Sequence, residues 1–234
     1  MSDQPTEFSA AEKSLKNINL FEDVPHDVVD NLVQRCNWLE YKEEDIVVDR
    51  NDTGNNVYFI ISGRLRVMDN LTADIEVSLA DLGAGEMFGE LSAIDNKIRS
   101  AQVTALEPSV LAEITRDDFQ EILRNSPIVA FNLLIRFTSI IRDLNSRVTV
   151  MSSLSPHQRV YNELMRIAEP DTSGDGNWII NNVPNHAELA SFVGSDKQIV
   201  AQAIGSLARD GVIERKHKNL IIKDYNRLQR LIRL

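Results

Sequence analysis

Cysteine is nearly absent: 234 residues contain one, Cys36. This excludes disulfide frameworks and four-cysteine zinc or iron–sulfur sites within one chain, and a reducing cytoplasm fits best. The four histidines, His26, His157, His186 and His217, stand at spacings unlike any metal-ligand pair, so no metal site is expected. No apolar run approaches the ~20 residues of a membrane span, and residues 1–17 are mostly polar, so neither insertion nor secretion is expected. No nucleophile, base and orienting group occur as a set, and no enzymatic activity is expected.

What is present is the composition of a soluble globular protein, 43% hydrophobic and 26% charged, long enough for one large domain or two smaller ones. The net charge of −10 taken alone argues against a nucleic-acid binder, but it is unevenly spread. Residues 1–154 carry 14 basic and 26 acidic side chains, whereas residues 155–234 carry 11 and 9. From Arg209 to Leu234 there are 8 basic and 3 acidic residues, so the chain has an acidic front and a basic tail.

Residues 8–39 read as short helices, with Leu15, Ile18, Phe21, Val29 and Leu32 near helical spacing. From about Glu40 the rhythm becomes that of strands. Short apolar runs at Ile46–Val48, Val57–Ile61, Leu65–Val67, Val77–Leu79, Met87–Phe88, Ala101–Val103 and Val110–Ile114 are separated by turn residues, as in a β-sandwich or small antiparallel roll. A long helix is predicted from Pro127. Its stripe Ala130, Leu134, Phe137, Ile141, Leu144, Val148 and Met151 advances in alternating steps of 4 and 3, a coiled-coil seam for a second copy of the chain. The alternative is packing on its own β domain, because Phe131, Leu133, Ile135 and Ile140 widen the apolar face of the first half, where both contacts are compatible.

After Ser152–Leu154, Ser155-Pro156-His157-Gln158 reads as a capped helix start. Pro170–Gly176 is a hairpin-like loop before Trp178–Ile180. Asn185–Glu188 opens a short helix, Gly194 supplies a turn, and Ser195–Gln198 opens a longer helix carrying Val200, Ile204 and Leu207. This is helix-turn-helix spacing, and Val212-Ile213 with Leu220–Ile222 around Glu214–Asn219 adds a basic wing.

The segment Gly85–Ala101 holds Gly89-Glu90-Leu91, seven residues, then Arg99-Ser100-Ala101. With this phosphate-binding cassette, the dimer helix and the helix-turn-helix in that order, nearly the whole chain resembles the cAMP receptor protein (CRP/FNR) family of bacterial transcription regulators. The resemblance implies an α+β chain: a cyclic-nucleotide-binding β-roll (a double-stranded β-helix or jelly roll) over residues 1–126, a long dimerisation helix and hinge over 127–154, and a winged helix-turn-helix over 155–234. It also implies a homodimer that binds double-stranded DNA and RNA polymerase under a small-molecule effector, cAMP or cGMP, with no covalent cofactor. Relatives that sense haem or redox state exist, but one cysteine and no histidine between His26 and His157 leave the usual iron ligands missing.

The cassette chemistry is consistent with this. Gly89 lets backbone approach a ligand, Arg99 can hold two phosphate oxygens, Ser100 can donate a further bond, and Glu90 suits a ribose hydroxyl. The bland alternative is that Glu90 and Arg99 pair with each other inside the roll. Where cAMP-binding relatives present Thr-Ser to the base, this chain has Leu144 and Asn145, so a hydroxyl is missing and the base is open; Asn145 retains an amide for a base edge held by the partner chain. On the recognition helix the family's Arg, Glu and Arg are replaced by Lys197, Gln198 and Gln202, which suits a more A·T-containing half-site. Gln198 has a competing use in a capping box with Ser195, and Asp196 repels phosphate. Asn185 and His186 replace a Thr-Arg pair, while Arg215, Lys216, His217 and Lys218 of the wing offer phosphate contacts or a solvated face. Arg227, Arg230 and Arg233 read as one side of an amphipathic last helix, away from DNA. The expected mechanism is that ligand bridging roll and dimer helix extends or rotates the helix through Val148–Leu154, setting two recognition helices ~34 Å apart. The rival reading is a nucleotide-sensing or orphan dimeric interaction protein with weak or non-specific DNA binding.

Overall fold

A computed structural model describes residues 13–72, 75–172 and 177–233. Among these, chain contacts divide the protein into two units that meet between Ile140 and Ile141.

The first unit opens with a 3-10 turn, Asn19–Phe21, and helix α1, His26–Val33. Eight strands follow: β1 (Asn37–Tyr41), β2 (Ile46–Val48), β3 (Val57–Ser62), β4 (Arg64–Thr72), β5 (Ile75–Gly83), β6 (Met87–Phe88), β7 (Gln102–Ala105) and β8 (Ser109–Ile114), with helix α2 (Glu90–Asp95) between β6 and β7. They form two antiparallel four-stranded sheets, ordered β1-β8-β3-β6 and β2-β7-β4-β5. Strand β8 is buried on both faces, Leu111 packing with Ile60 and Leu65 in one cluster and Ile114 with Phe59 in another, each side chain stabilising the roll by ~1.5–3 kcal/mol. The β3–β4 turn needs Gly63, since at φ 92° a Cβ there would lie 2.1 Å from Ser109 Oγ.

Two expectations change here. Asn37–Tyr41, within and just beyond the segment expected to be helical, is a strand paired residue for residue with β8, because cross-strand pairing overrides local apolar spacing. Helix α3, Arg116–Asn125, is not among the elements expected from the sequence; Thr115 caps it by accepting from Asp118 N, and Phe119 and Ile122 bury its inner face.

Helix α4 runs from Pro127 to Ser153. Val129 and Leu133 are buried against the roll, Phe137 packs on the same core, and Asn132 Nδ2 donates to the Leu20 and Glu22 carbonyls at 3.0 and 2.9 Å. Of the residues expected to widen the roll-facing surface, only Leu133 is buried; Phe131, Ile135 and Ile140 are exposed. Leu134, Ile141, Leu144, Val148 and Met151 are exposed as well, between 42% and 62%. None of the described helices is long and apolar enough to cross a membrane.

The second unit begins with helix α5 (Pro156–Arg166), where Ser155 and Gln158 form the predicted reciprocal cap. Strands β9 (Glu169–Pro170) and β10 (Trp178–Ile180) precede helices α6 (His186–Val193) and α7 (Lys197–Arg209), then β11 (Ile213–Lys216), β12 (Asn219–Ile222) and helix α8 (Tyr225–Arg233). Part of the Pro170–Gly176 loop, residues 173–176, lies outside the described residues. The wing is a sheet ordered β11-β12-β10-β9 rather than a bare hairpin, because β10 pairs with β12 over Trp178–Ile180. Val160, Leu164, Leu189, Val200, Leu207, Ile222 and Leu228 form its core, and Trp178 stacks on Tyr225 with centroids 4.3 Å apart.

Candidate functional site

The cassette is built where β6 turns into α2. Gly89 adopts φ 88°, and a Cβ there would lie 2.6 Å from Asn56 O and 2.7 Å from Arg99 Nη1. Only glycine allows the backbone to pass this close to the guanidinium. Arg99 is 4% exposed. Its Nη1 donates to Ser92 Oγ at 2.8 Å and to Gly89 O at 3.1 Å, and its Nη2 donates to Asn56 O at 2.9 Å. Its Nε is buried without a hydrogen-bond partner, and its Cζ lies 5.8 Å from the Tyr58 ring centroid. Burial lowers the affinity of this guanidinium for its proton, yet an arginine stays charged at neutral pH.

The contrast with Arg66, on the same roll, is informative. Arg66 grips Asp81 with Nε at 2.7 Å and Nη2 at 2.9 Å, a bidentate pair. Among the described residues Arg99 makes no such pair with any carboxylate, and its Nε–Nη2 edge retains the unpartnered Nε–H and a second N–H on Nη2. A buried cation held by neutral acceptors, with a donor left over, is electrostatically fitted to an anion.

Glu90 is also buried, and burial pushes its carboxyl above the ordinary carboxylate range, opposed by a hydrogen bond from its own backbone, by Arg136 and by Arg99. The expected alternative, an Arg99–Glu90 pair, is therefore absent among the described residues. The cation that acts on Glu90 ahead of Arg99 is Arg136 of α4. Arg136 Nη2 donates to Met87 O at 2.7 Å and its Nη1 lies 3.4 Å from Glu86 Oε1, so α4 is tied to the strand that leads into the cassette. No spacing rule could have found it; the only signal was a basic residue on the roll-facing half of α4. The structure thus brings Gly89, Glu90 and Arg99 together. Leu91 and Ser100 are exposed, Ala101 is buried, and Asn145 is exposed on α4 in the second unit.

In the second unit, the cap of α7 is corrected. Asp196, not Ser195, is the capping residue, accepting from Gln198 N at 2.7 Å and Ile199 N at 2.9 Å. Ser195 Oγ is enclosed and lacks a hydrogen-bond partner, so Ser195 does not present its hydroxyl on the exposed face. A carboxylate one residue later reaches the free N–H groups of the first turn, which releases the Gln198 side chain from capping. Lys197, Gln198, Ala201 and Gln202 then form one exposed side of α7. Asn185 caps α6 by accepting from Ala187 N and Glu188 N, and His186 is half-buried in the first turn. Gly194, at φ 57°, ends α6, with Arg159 Nη1 donating to its carbonyl at 3.1 Å. The wing turn is joined to the approach to α6 by Val183 N to Lys218 O at 2.9 Å, and Arg215, Lys216, His217 and Lys218 are all exposed there. In α8, Leu228 is buried and Arg227, Arg230 and Arg233 are exposed.

Comparison with known proteins gives a matching pattern. A family model described as the cyclic nucleotide-binding domain matches residues 38–126, and one described as the Crp-like helix-turn-helix domain matches residues 158–231. The chain is similar to the cyclic AMP receptor protein of Thermus thermophilus, 27% identical over 199 residues, which is 85% of this chain and 89% of the relative. It is similar to a CRP-like cAMP-activated global transcriptional regulator of Mycobacterium tuberculosis, 23% identical over 94% of this chain and 98% of that protein. Among solved structures, a CooA variant from Carboxydothermus hydrogenoformans superposes with TM-score 0.74 at 21% identity, covering 86% of this chain and 90% of that one. The c-di-GMP responsive regulator CLP of Xanthomonas campestris gives TM-score 0.74 at 18% identity, covering 85% and 99%. At these identities the two structures share the fold.

Proposed function

We propose that the chain, with its cyclic nucleotide-binding and Crp-like helix-turn-helix domains, is a transcription regulator of the CRP/FNR type that binds a cyclic mononucleotide, cAMP or cGMP, to control its binding to DNA. The observation that carries the nucleotide assignment is Arg99, a buried guanidinium that among the described residues has a partnerless Nε and no paired carboxylate. The phosphate of a cyclic nucleotide supplies a negative charge with two oxygens for one arginine edge. Glu90 accepts from a ribose hydroxyl, Ser100 adds a donor to the phosphate, Leu91 and Ala101 frame the cassette, and Asn145 of a second copy of the chain offers its amide to a base edge.

The second copy of the chain meets the first along Leu134, Ile141, Leu144, Val148 and Met151 of α4, an apolar stripe that water disfavours, with Phe137 shared between that seam and the roll. DNA is read by Gln198 and Gln202, with Lys197, Lys216 and Lys218 on phosphates and Asn185 and His186 at the entrance of α6. The capping role of Asp196 leaves the Gln198 side chain free for a base edge, which the DNA reading requires. Ligand switches the protein to the extent that it binds the DNA-competent arrangement more tightly than the other. The reading extends to contact with RNA polymerase and a cytoplasmic location, which the likeness to Crp-like regulators supports.

Calorimetric titration of the purified chain with cAMP, cGMP and cyclic dinucleotides, beside Arg99→Ala, tests the assignment. Micromolar binding of one mononucleotide that disappears in the variant is expected. Silence from all, or binding untouched by Arg99→Ala, would overturn it.

A further inference from the structure

Ser92 has no part in the reading above, yet it is 3% exposed and its hydroxyl lies between two elements of the cassette. It donates to Gly89 O at 3.2 Å and accepts from Arg99 Nη1 at 2.8 Å. A hydroxyl has one proton, so donation to Gly89 turns its lone pairs toward the guanidinium. The two N–H groups of Nη1 are then fully used by Ser92 Oγ and Gly89 O, and one N–H of Nη2 by Asn56 O. What remains is the Nε–H and one N–H of Nη2, the same pair of nitrogens with which Arg66 holds Asp81. The alternative acceptor for Nη1, the Gly89 carbonyl, is already shared with Ala93 N at 3.3 Å.

We propose that Ser92 is a positioning residue of the anion site: its hydroxyl pins the Nη1 end of Arg99 from behind, so that the Nε–Nη2 edge is the one offered to ligand. This rests on Arg99 being the anion-binding group. The ligand does not displace Ser92, since the offered edge lies on other nitrogens. Ser92 therefore raises affinity by ordering the arginine before ligand arrives, which lowers the entropy lost on binding.

The test uses the full chain labelled with 15N-arginine, in wild type and Ser92→Ala. Pinning Nη1 slows rotation about the Nε–Cζ bond, so wild type should show separate Nη1 and Nη2 signals for Arg99 without ligand. Ser92→Ala removes the shortest of the three bonds on the guanidinium and should speed this rotation, broadening the Arg99 signals toward merging, while the Arg66 signals, held by Asp81, stay separate. With cAMP as probe, Ser92→Ala should bind about tenfold more weakly, the scale of one lost hydrogen bond to a charged group. Arg99 signals that are the same in both proteins would overturn the proposal, and so would simultaneous merging of the Arg66 signals, which would mean general loosening of the roll. If Arg99 is pinned and then freed while cAMP binds neither protein, the positioning role stands and the choice of cAMP as ligand fails.

Discussion

The cassette and the helix-turn-helix deploy charge in opposite ways. In the cassette the decisive cation is enclosed, held by a serine and two carbonyls, and left with an unused donor. On α7 the decisive groups are exposed, and the helix beneath them is already satisfied by the Asp196 cap. In the proposed reading, enclosure suits the first site to one small anion, because a buried cation with an unused donor favours a counter-ion. In the same reading, exposure suits the second site to many phosphates, with specificity added by a few side chains.

The largest effect should come from the enclosed cation. Arg99→Ala is expected to weaken nucleotide binding by about 100-fold or more, as loss of a desolvated charge-assisted contact does, and calorimetry would check it. A loss of only a few fold would erase the contrast between the two regions. Next comes the apolar stripe of α4. Ile141→Asp combined with Val148→Asp, both exposed in the single chain, should leave the fold intact and weaken self-association by about 100-fold, read by sedimentation. Unchanged association would move the dimer contact elsewhere.

At the exposed site the effects should be smaller and of two kinds. Gln202→Ala should relax preference at one base pair by about 1–3 kcal/mol, whereas Lys216→Ala should weaken binding to all sequences alike and lower the salt slope by about 1. Competition binding across a substituted site at several salt concentrations separates these outcomes; equal loss on every sequence for Gln202→Ala would remove it from base readout.

Glu90 sharpens the same contrast through pH. Its carboxyl is raised in the folded chain, so its contribution to stability is fully present below the ordinary carboxylate range and is lost as pH rises through the raised value. Ligand-free Glu90→Gln should therefore melt above wild type at pH 7, with the gap closing in acid, while binding nucleotide less well. A variant that melts lower at pH 7 would show that the charge is compensated in place. The smallest effect is expected at Gly205, within α7, where an added Cβ would meet nothing within 4 Å. Gly205→Ala should stabilise the chain by about 0.5–1 kcal/mol in thermal melts, and destabilisation would reveal a packing role.

Much of the second unit was legible residue by residue. The Ser155–Gln158 and Asn185–Glu188 caps, the Gly194 turn and the wing strands are local patterns, and the structure has each. The cap of α7 was missed by one residue, since Ser195 and Asp196 are both good caps and only the enclosure of Ser195 Oγ decides between them. In the first unit the cassette was legible as a motif, but its state was not. Ser92 and Asn56 stand 7 and 43 residues from Arg99, and nothing in their spacing marks them as its partners.

By itself the sequence determined the order of roll, long helix and winged helix-turn-helix, the exposed face of α7 and the presence of a Gly-Glu-Leu to Arg-Ser-Ala cassette. These follow from periodicity, caps and turns that act over a few residues. Only the tertiary structure decided that β1 is a strand, that α4 buries Val129 and Leu133 while exposing Phe131 and Ile135, that Arg136 acts on Glu90, and that Arg99 pairs with no carboxylate among the described residues. The reason is physical: pairing, burial and the balance of a buried charge depend on groups distant in sequence, and only folding brings them within ångströms of one another.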